Sequence, residues 1–152
     1  MSSTEKTLRH IDRVRDLLDG FALELQRRGS VHDHSKFHEA EAGPLAEMDA
    51  LIAREGNVPF GSPEYERRKA ILGPMLDHHY RNNSHHPEHY PNGVDGMTLF
   101  DLIEMFVDWK AASERGEQSS MSLSVACAKY GVAPQIESIM RNTAVCFGWR
   151  VD

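Results

Sequence analysis

Apolar side chains recur every three to four residues along most of the chain, which is the period of an α-helix, and no segment has the alternating β-branched pattern of a strand. Leu8, Ile11, Val14, Leu17, Leu18, Phe21 and Leu25 form one stripe. They predict a helix over residues 4–28, with Gly29 as its C-cap. A second helix is expected from about residue 32, interrupted at Gly43-Pro44 and resuming through Leu45, Met48, Leu51 and Ile52. Residues 55–63 are rich in Gly, Pro and Asn and read as a loop. A helix over 65–80 follows, with a kink expected at Gly73-Pro74. Residues 82–96 are a polar loop. Thr98 is placed to cap a helix running to about residue 115. Residues 116–120 read as a linker, and short helices over 123–130 and 134–147 end the chain. The expectation is an all-α, single-domain helical bundle over 1–152, with its motif-bearing core at about 8–112 and C-terminal helices at about 121–147.

Composition narrows the class. The chain has 152 residues, enough for one compact core. It is 40% hydrophobic and 26% charged, with a formal net charge of −6. Its basic clusters, Arg27-Arg28 and Arg67-Arg68-Lys69, are short, so duplex nucleic acid is not the expected partner. No apolar run is long enough for a membrane helix, and the first residues lack the apolar core of a secretory signal. A cytoplasmic location is expected. Cys127 and Cys146 show no C-x-x-C spacing and are expected to be small buried hydrophobes. There is no Gly-rich phosphate loop and no G-x-S-x-G elbow.

The histidines change the picture. The chain has nine, and eight fall between His32 and His89. His10 lies within the apolar stripe of the first helix, where it is either a core histidine bonded to a carbonyl or a metal ligand. His32-Asp33 offers an imidazole and a carboxylate side by side, a donor pair suited to first-row metals. His34 and His38 share a helix face and are expected to be exposed. Residues 77–89 hold five histidines, either a surface cluster or a metal or leaving-group site. The helix after Thr98 is apolar nearly all round, which marks an interior helix. On it Asp101, Glu104 and Asp108 form one narrow stripe, which is either a thin solvent edge or a set of paired carboxylates.

Taken together, these residues resemble metal-dependent phosphohydrolases of the HD superfamily, which use an early helical histidine, a His-Asp pair and a distant aspartate. More narrowly, the chain resembles a small group of HD-type proteins common in phage and bacterial genomes. Its H-D-x-S-K-F, with a following glutamate, is matched by His32 to Phe37 and Glu41. Its H-x-x-x-N-x-H-H is matched by His79, Asn83, His85 and His86, and its E-M-x-x-D-W by Glu104, Met105, Asp108 and Trp109. The chain departs from it in carrying Pro87 where tryptophan often follows the paired histidines.

The resemblance implies a helical bundle of the HD-domain type around one or two divalent transition metals (Mn, Fe, Co, Ni or Zn). It assigns His10, His32, Asp33 and Asp108 to a first metal, and His79, His85 and His86 to a second or to the leaving group. Asp33, His79 and Glu104 are the implied catalytic residues. Glu41 or Glu104 would orient a water or a ligand histidine. Lys36, Arg81 and Asn83 would contact the substrate, a small phosphorylated molecule that is expected to be a nucleotide. The alternatives are an HD-type diiron oxygenase and a non-catalytic nucleotide-binding protein. A homo-oligomer is compatible with the small helical domain.

Overall fold

The computed structural model describes residues 1–59, 61–115 and 120–152. The linker expected at 116–120 lies almost wholly outside them. The described residues form seven α-helices and no strand, which bears out the all-α class. The chain divides into two compact units, Met1–His32 and Asp33–Asp152.

The first unit is one helix, α1 (Ser3–Val31). Ser2 caps it, accepting from Glu5 N, while the Glu5 carboxylate accepts from Ser2 N at 2.6 Å. This reciprocal box satisfies two otherwise open N–H groups. The helix runs through Gly29, which sequence reading placed as its cap. Glycine weakens a helix by only about 1 kcal/mol relative to alanine, and Ser30 adds a bond to Gln26 O at 2.9 Å. The apolar stripe is present, yet no residue of α1 is buried. His10 is therefore exposed rather than set in a packed interior, because a single helix has no second surface of its own to close over it.

The second unit opens with a 3₁₀ turn, His34–Phe37, followed by α2 (Glu39–Glu55). His38 caps α2, its Nδ1 accepting from Ala40 N at 3.2 Å. The break expected at Gly43-Pro44 does not occur. Pro44 is the sixth helical residue, so it forfeits only one bond near the helix start. Then come α3 (Pro63–Ile71) and α4 (Gly73–Asn82), separate helices where sequence predicted one kinked helix. Proline at position 74 disfavours continued helix through the residues before it. The buried Arg68 guanidinium joins the end of α2 to α3, donating to Glu64 Oε1 and Gly56 O, both at 2.9 Å. Two further 3₁₀ turns, Pro87–His89 and Gly93–Gly96, lead to α5 (Leu99–Ser113), which is capped by Thr98 as its sequence predicted.

The core lies where α5 meets α6 (Leu123–Tyr130) and α7 (Pro134–Cys146). Met105, Phe106, Met121, Leu123, Cys127, Val132, Met140 and Ala144 are its buried members. Burying each of the larger side chains contributes roughly 1.5–3 kcal/mol. Cys127 is buried as expected, but Cys146, at the last position of α7, is exposed. Trp109 of the E-M-x-x-D-W motif stacks on Tyr130, ring centroids 5.6 Å apart, and belongs to this packing. A lone parallel bridge joins Met121 and Val151. No helix among the described residues is long and apolar enough to cross a membrane.

Candidate metal centre

In the second unit, α2 packs on α4. Glu41, in the first turn of α2, is fully buried there and meets two histidines of α4. Its Oε1 accepts from His78 Nδ1 at 2.6 Å and its Oε2 from His79 Nδ1 at 2.8 Å. Burial pushes the Glu41 carboxyl up, but bonds from His78, His79 and Ser35 together outweigh it and hold the group below its ordinary value. Glu41 is thus an anion that only accepts, so both Nδ1 atoms carry protons. With Nδ1 turned to Glu41, Nε2 is the nitrogen His79 presents to the other side, the atom a metal would take. Asn83 braces the backbone of the same residue, its amide donating to His79 O at 2.8 Å and to Ser35 Oγ at 2.6 Å.

After α4 the backbone at Asn83 turns extended (φ −129°, ψ 98°), and the loop carries His85 and His86 inward ahead of the Pro87 turn. His85 is buried, with Nδ1 3.2 Å from Glu104 Oε1 on α5. Its Nε2 is 3.5 Å from Asp33 Oδ1, and His79 Nε2 is 3.4 Å from the same oxygen. His86 Nε2 lies 3.0 Å from His79 Nε2. Two imidazole lone pairs repel at that distance, so the pair needs a proton or a cation between them. Burial first, then the neighbouring His85 and His79, drive the His86 pKa down to about 3, against Asp108 and Asp33. His86 is therefore neutral at physiological pH, the ligand form.

Asp33 opens the unit in the left-handed region (φ 55°, ψ 20°), the only non-glycine residue with positive φ among those described. Aspartate tolerates this conformation better than most residues. The turn places Oδ2 against Lys36 Nζ at 2.5 Å and directs Oδ1 toward the histidines. One ligand atom from each of Asp33, His79, His85 and His86 lies within 4.8 Å of the others. Bonds of about 2.0–2.1 Å in a tetrahedral array put neighbouring donors roughly 3.3 Å apart, and the three separations of 3.0, 3.4 and 3.5 Å bracket that value. Three imidazoles and a carboxylate are a donor set for Zn, Fe, Co, Ni or Mn. The residues present fit such an ion. Glu41 and Glu104 lie behind His79 and His85, where carboxylates orient imidazole rings and raise their basicity toward a metal.

Asp108 is half-buried on α5, one turn beyond Glu104, and acts on His86 electrostatically. Lys36 holds Asp33, and Asn83 is buried behind His79. Arg81 is exposed, donates to Asp77 O at 2.9 Å and lines a shallow cavity of about 300 Å³ with Asp77, Tyr80, Glu88 and His89. His10 and His32 belong to the first unit, His32 as the residue that follows α1. His34 and His38 are exposed, as expected, and His38 stacks on His78 with centroids 4.9 Å apart. Sequence reading kept Asp33 apart from His79, His85 and His86, whereas the fold joins all four in one group. It also left Ser35, Ser84 and Asp101 without a role. Asp101 had a signal, its place on the Glu104–Asp108 stripe, and Ser35 had one as the serine of H-D-x-S-K-F, while Ser84 had none.

Neither characterised proteins nor solved structures give a match to the chain. A family model does, over residues 1–145, under the description "Family of unknown function (DUF5662)". With nearly its whole length covered, this all-helical chain belongs to the DUF5662 family.

Proposed function

We propose that this protein is a metal-dependent hydrolase that cleaves a phosphate ester or anhydride of a small nucleotide. One observation carries the reading: His79 Nε2 and His85 Nε2, each backed by a carboxylate on Nδ1, converge on Asp33 Oδ1 at 3.4 and 3.5 Å. Asp33, His79, His85 and His86 are the proposed ligands. A divalent ion bound there supplies a Lewis acid and lowers the pKa of a bound water toward neutrality. Glu41 and Glu104 keep His79 and His85 in the tautomer that presents Nε2. Lys36, partly exposed beside Asp33, is the cation placed to face a phosphoryl oxygen. The choice of a phosphorylated substrate rests on this lysine and on the resemblance of the sequence motifs to HD-type hydrolases.

The test is elemental analysis of untagged protein purified without chelators, followed by phosphate release from a nucleotide panel. About one or two equivalents of a transition metal are expected, with metal-dependent turnover. Asp33→Asn, which still tolerates the left-handed backbone, is expected to lose both. A protein that takes up no metal from micromolar supply sinks the proposal. Bound iron with oxygen consumption and no phosphate release would replace hydrolysis with oxygenase chemistry.

A further inference from the structure

Asp101 is 1% exposed, and among the bonds its carboxylate accepts are four from Thr98, Ser84 and Tyr90. Thr98 supplies two of them to Oδ2, from N at 2.8 Å and from Oγ1 at 2.5 Å, and Thr98 Oγ1 accepts from Asp101 N at 3.2 Å. That reciprocal box is all that capping α5 requires. The other two bonds come from the histidine loop. Ser84 Oγ donates to Oδ1 at 2.5 Å, and Tyr90 OH donates to Oδ2 at 2.9 Å.

These two donors bracket the loop. Ser84 immediately precedes His85, and Tyr90 follows the 3₁₀ turn that ends at His89. On α5, Glu104 stands one turn after Asp101 and Asp108 one turn further, on the same face. Holding Ser84 against Asp101 therefore sets His85 against Glu104, where Nδ1 is found 3.2 Å from Oε1. Gly96 serves the second donor: a Cβ there would come within 2.8 Å of Tyr90 Cβ and 2.9 Å of its ring, so only glycine lets the tyrosine lie where it reaches Asp101.

We infer that Asp101 is a positioning residue of the metal centre, clamping the 84–90 loop at both ends to the start of α5 so that His85 and His86 meet the ligand group in register. The inference rests on the metal-centre reading above. Burial pushes the Asp101 carboxyl up, but the bonds from Ser84, Thr98 and Tyr90 hold it far below the ordinary range, so it accepts as an anion at every physiological pH.

The test is titration of the full chain with cobalt chloride, followed by the visible d–d absorption of the bound ion. Four variants are compared with the natural chain. Ser84→Ala and Tyr90→Phe each remove one loop donor and leave the α5 cap intact. Both are expected to weaken cobalt binding about tenfold or more and to shift the band. Asp101→Asn is expected to do so more strongly. Thr98→Ala removes the hydroxyl of the cap and is expected to lower Tm while leaving affinity and band position near those of the natural chain. A natural chain that binds cobalt, with Ser84→Ala and Tyr90→Phe binding equally tightly and with the same spectrum, overturns the clamp alone. So does a Thr98→Ala effect on affinity as large as that of Asp101→Asn. A natural chain that binds no cobalt overturns the metal-centre reading and the clamp with it.

Discussion

At the residue scale, the centre depends on groups whose function the residue type alone does not reveal. Glu41 is a carboxylate with no exposure, and it survives burial because two imidazole N–H groups and a serine bond it. Glu41→Gln keeps the shape but replaces the anion with a neutral amide, whose NH2 faces one of the two Nδ1–H donors. One histidine must then flip or change tautomer. Metal affinity is expected to fall about 10–100-fold, the usual effect of removing a partner of this kind. Isothermal titration with zinc would measure it, and an unchanged Kd would mean that Glu41 only stabilises the fold. Asp33 illustrates a different constraint, since its left-handed backbone costs most residues about 1–2 kcal/mol. A strained non-glycine residue at a ligand cluster is where function commonly holds a conformation that stability alone would not choose.

At the element scale, helix starts matter most. α2 begins at a 3₁₀ turn that points Asp33 inward, and α5 begins at a capping box that doubles as a loop clamp. The Asp101 carboxyl, held below its ordinary value of 3.8, contributes stability that is fully present above that pH and is lost as the pH falls through its folded-state value. The stability advantage of the natural chain over Asp101→Asn is therefore expected to be largest near neutrality and to shrink below about pH 3.8. Urea midpoints of both proteins at pH 7, 5 and 3 would show it. A gap that stays constant across that range would mean the carboxylate has no special charge-dependent role.

At the scale of the whole molecule, the packed core and the ligand cluster draw on different parts of the second unit. α5, α6 and α7 share the core, whereas the candidate ligands come from the segment before α2, from α4 and from the loop after it. α5 serves both, one face carrying Met105 and Phe106 and another carrying Asp101, Glu104 and Asp108. Leu123, with no exposure, belongs to the core cluster and is remote in the sequence from the candidate ligands. Leu123→Ala is expected to destabilise the protein by about 2–5 kcal/mol while zinc affinity at 20 °C stays within about twofold. Denaturant unfolding and zinc titration of the same sample would test this, and a parallel loss of affinity would show that core and centre are coupled.

The sequence by itself determined what local chemistry controls. The helical period, the cap at Thr98 and an interruption at Gly73-Pro74 are read from neighbours three or four residues apart. The donor types were also legible, because eight histidines crowd between His32 and His89 beside Asp33. Gly29 and Pro44 misled the reading, since helix ends are settled by small terms that the rest of the helix can outweigh. Only the tertiary structure decided which donors meet. Pairing Glu41 with His79 spans 38 residues, and Asp101 with Ser84 spans 17. Contacts of that range leave no periodic trace in the chain. Which imidazole nitrogen faces a ligand, and which carboxylate stands behind it, follows from how α2, α4 and α5 pack, and that packing determines whether a row of histidines is a polar surface or a metal centre.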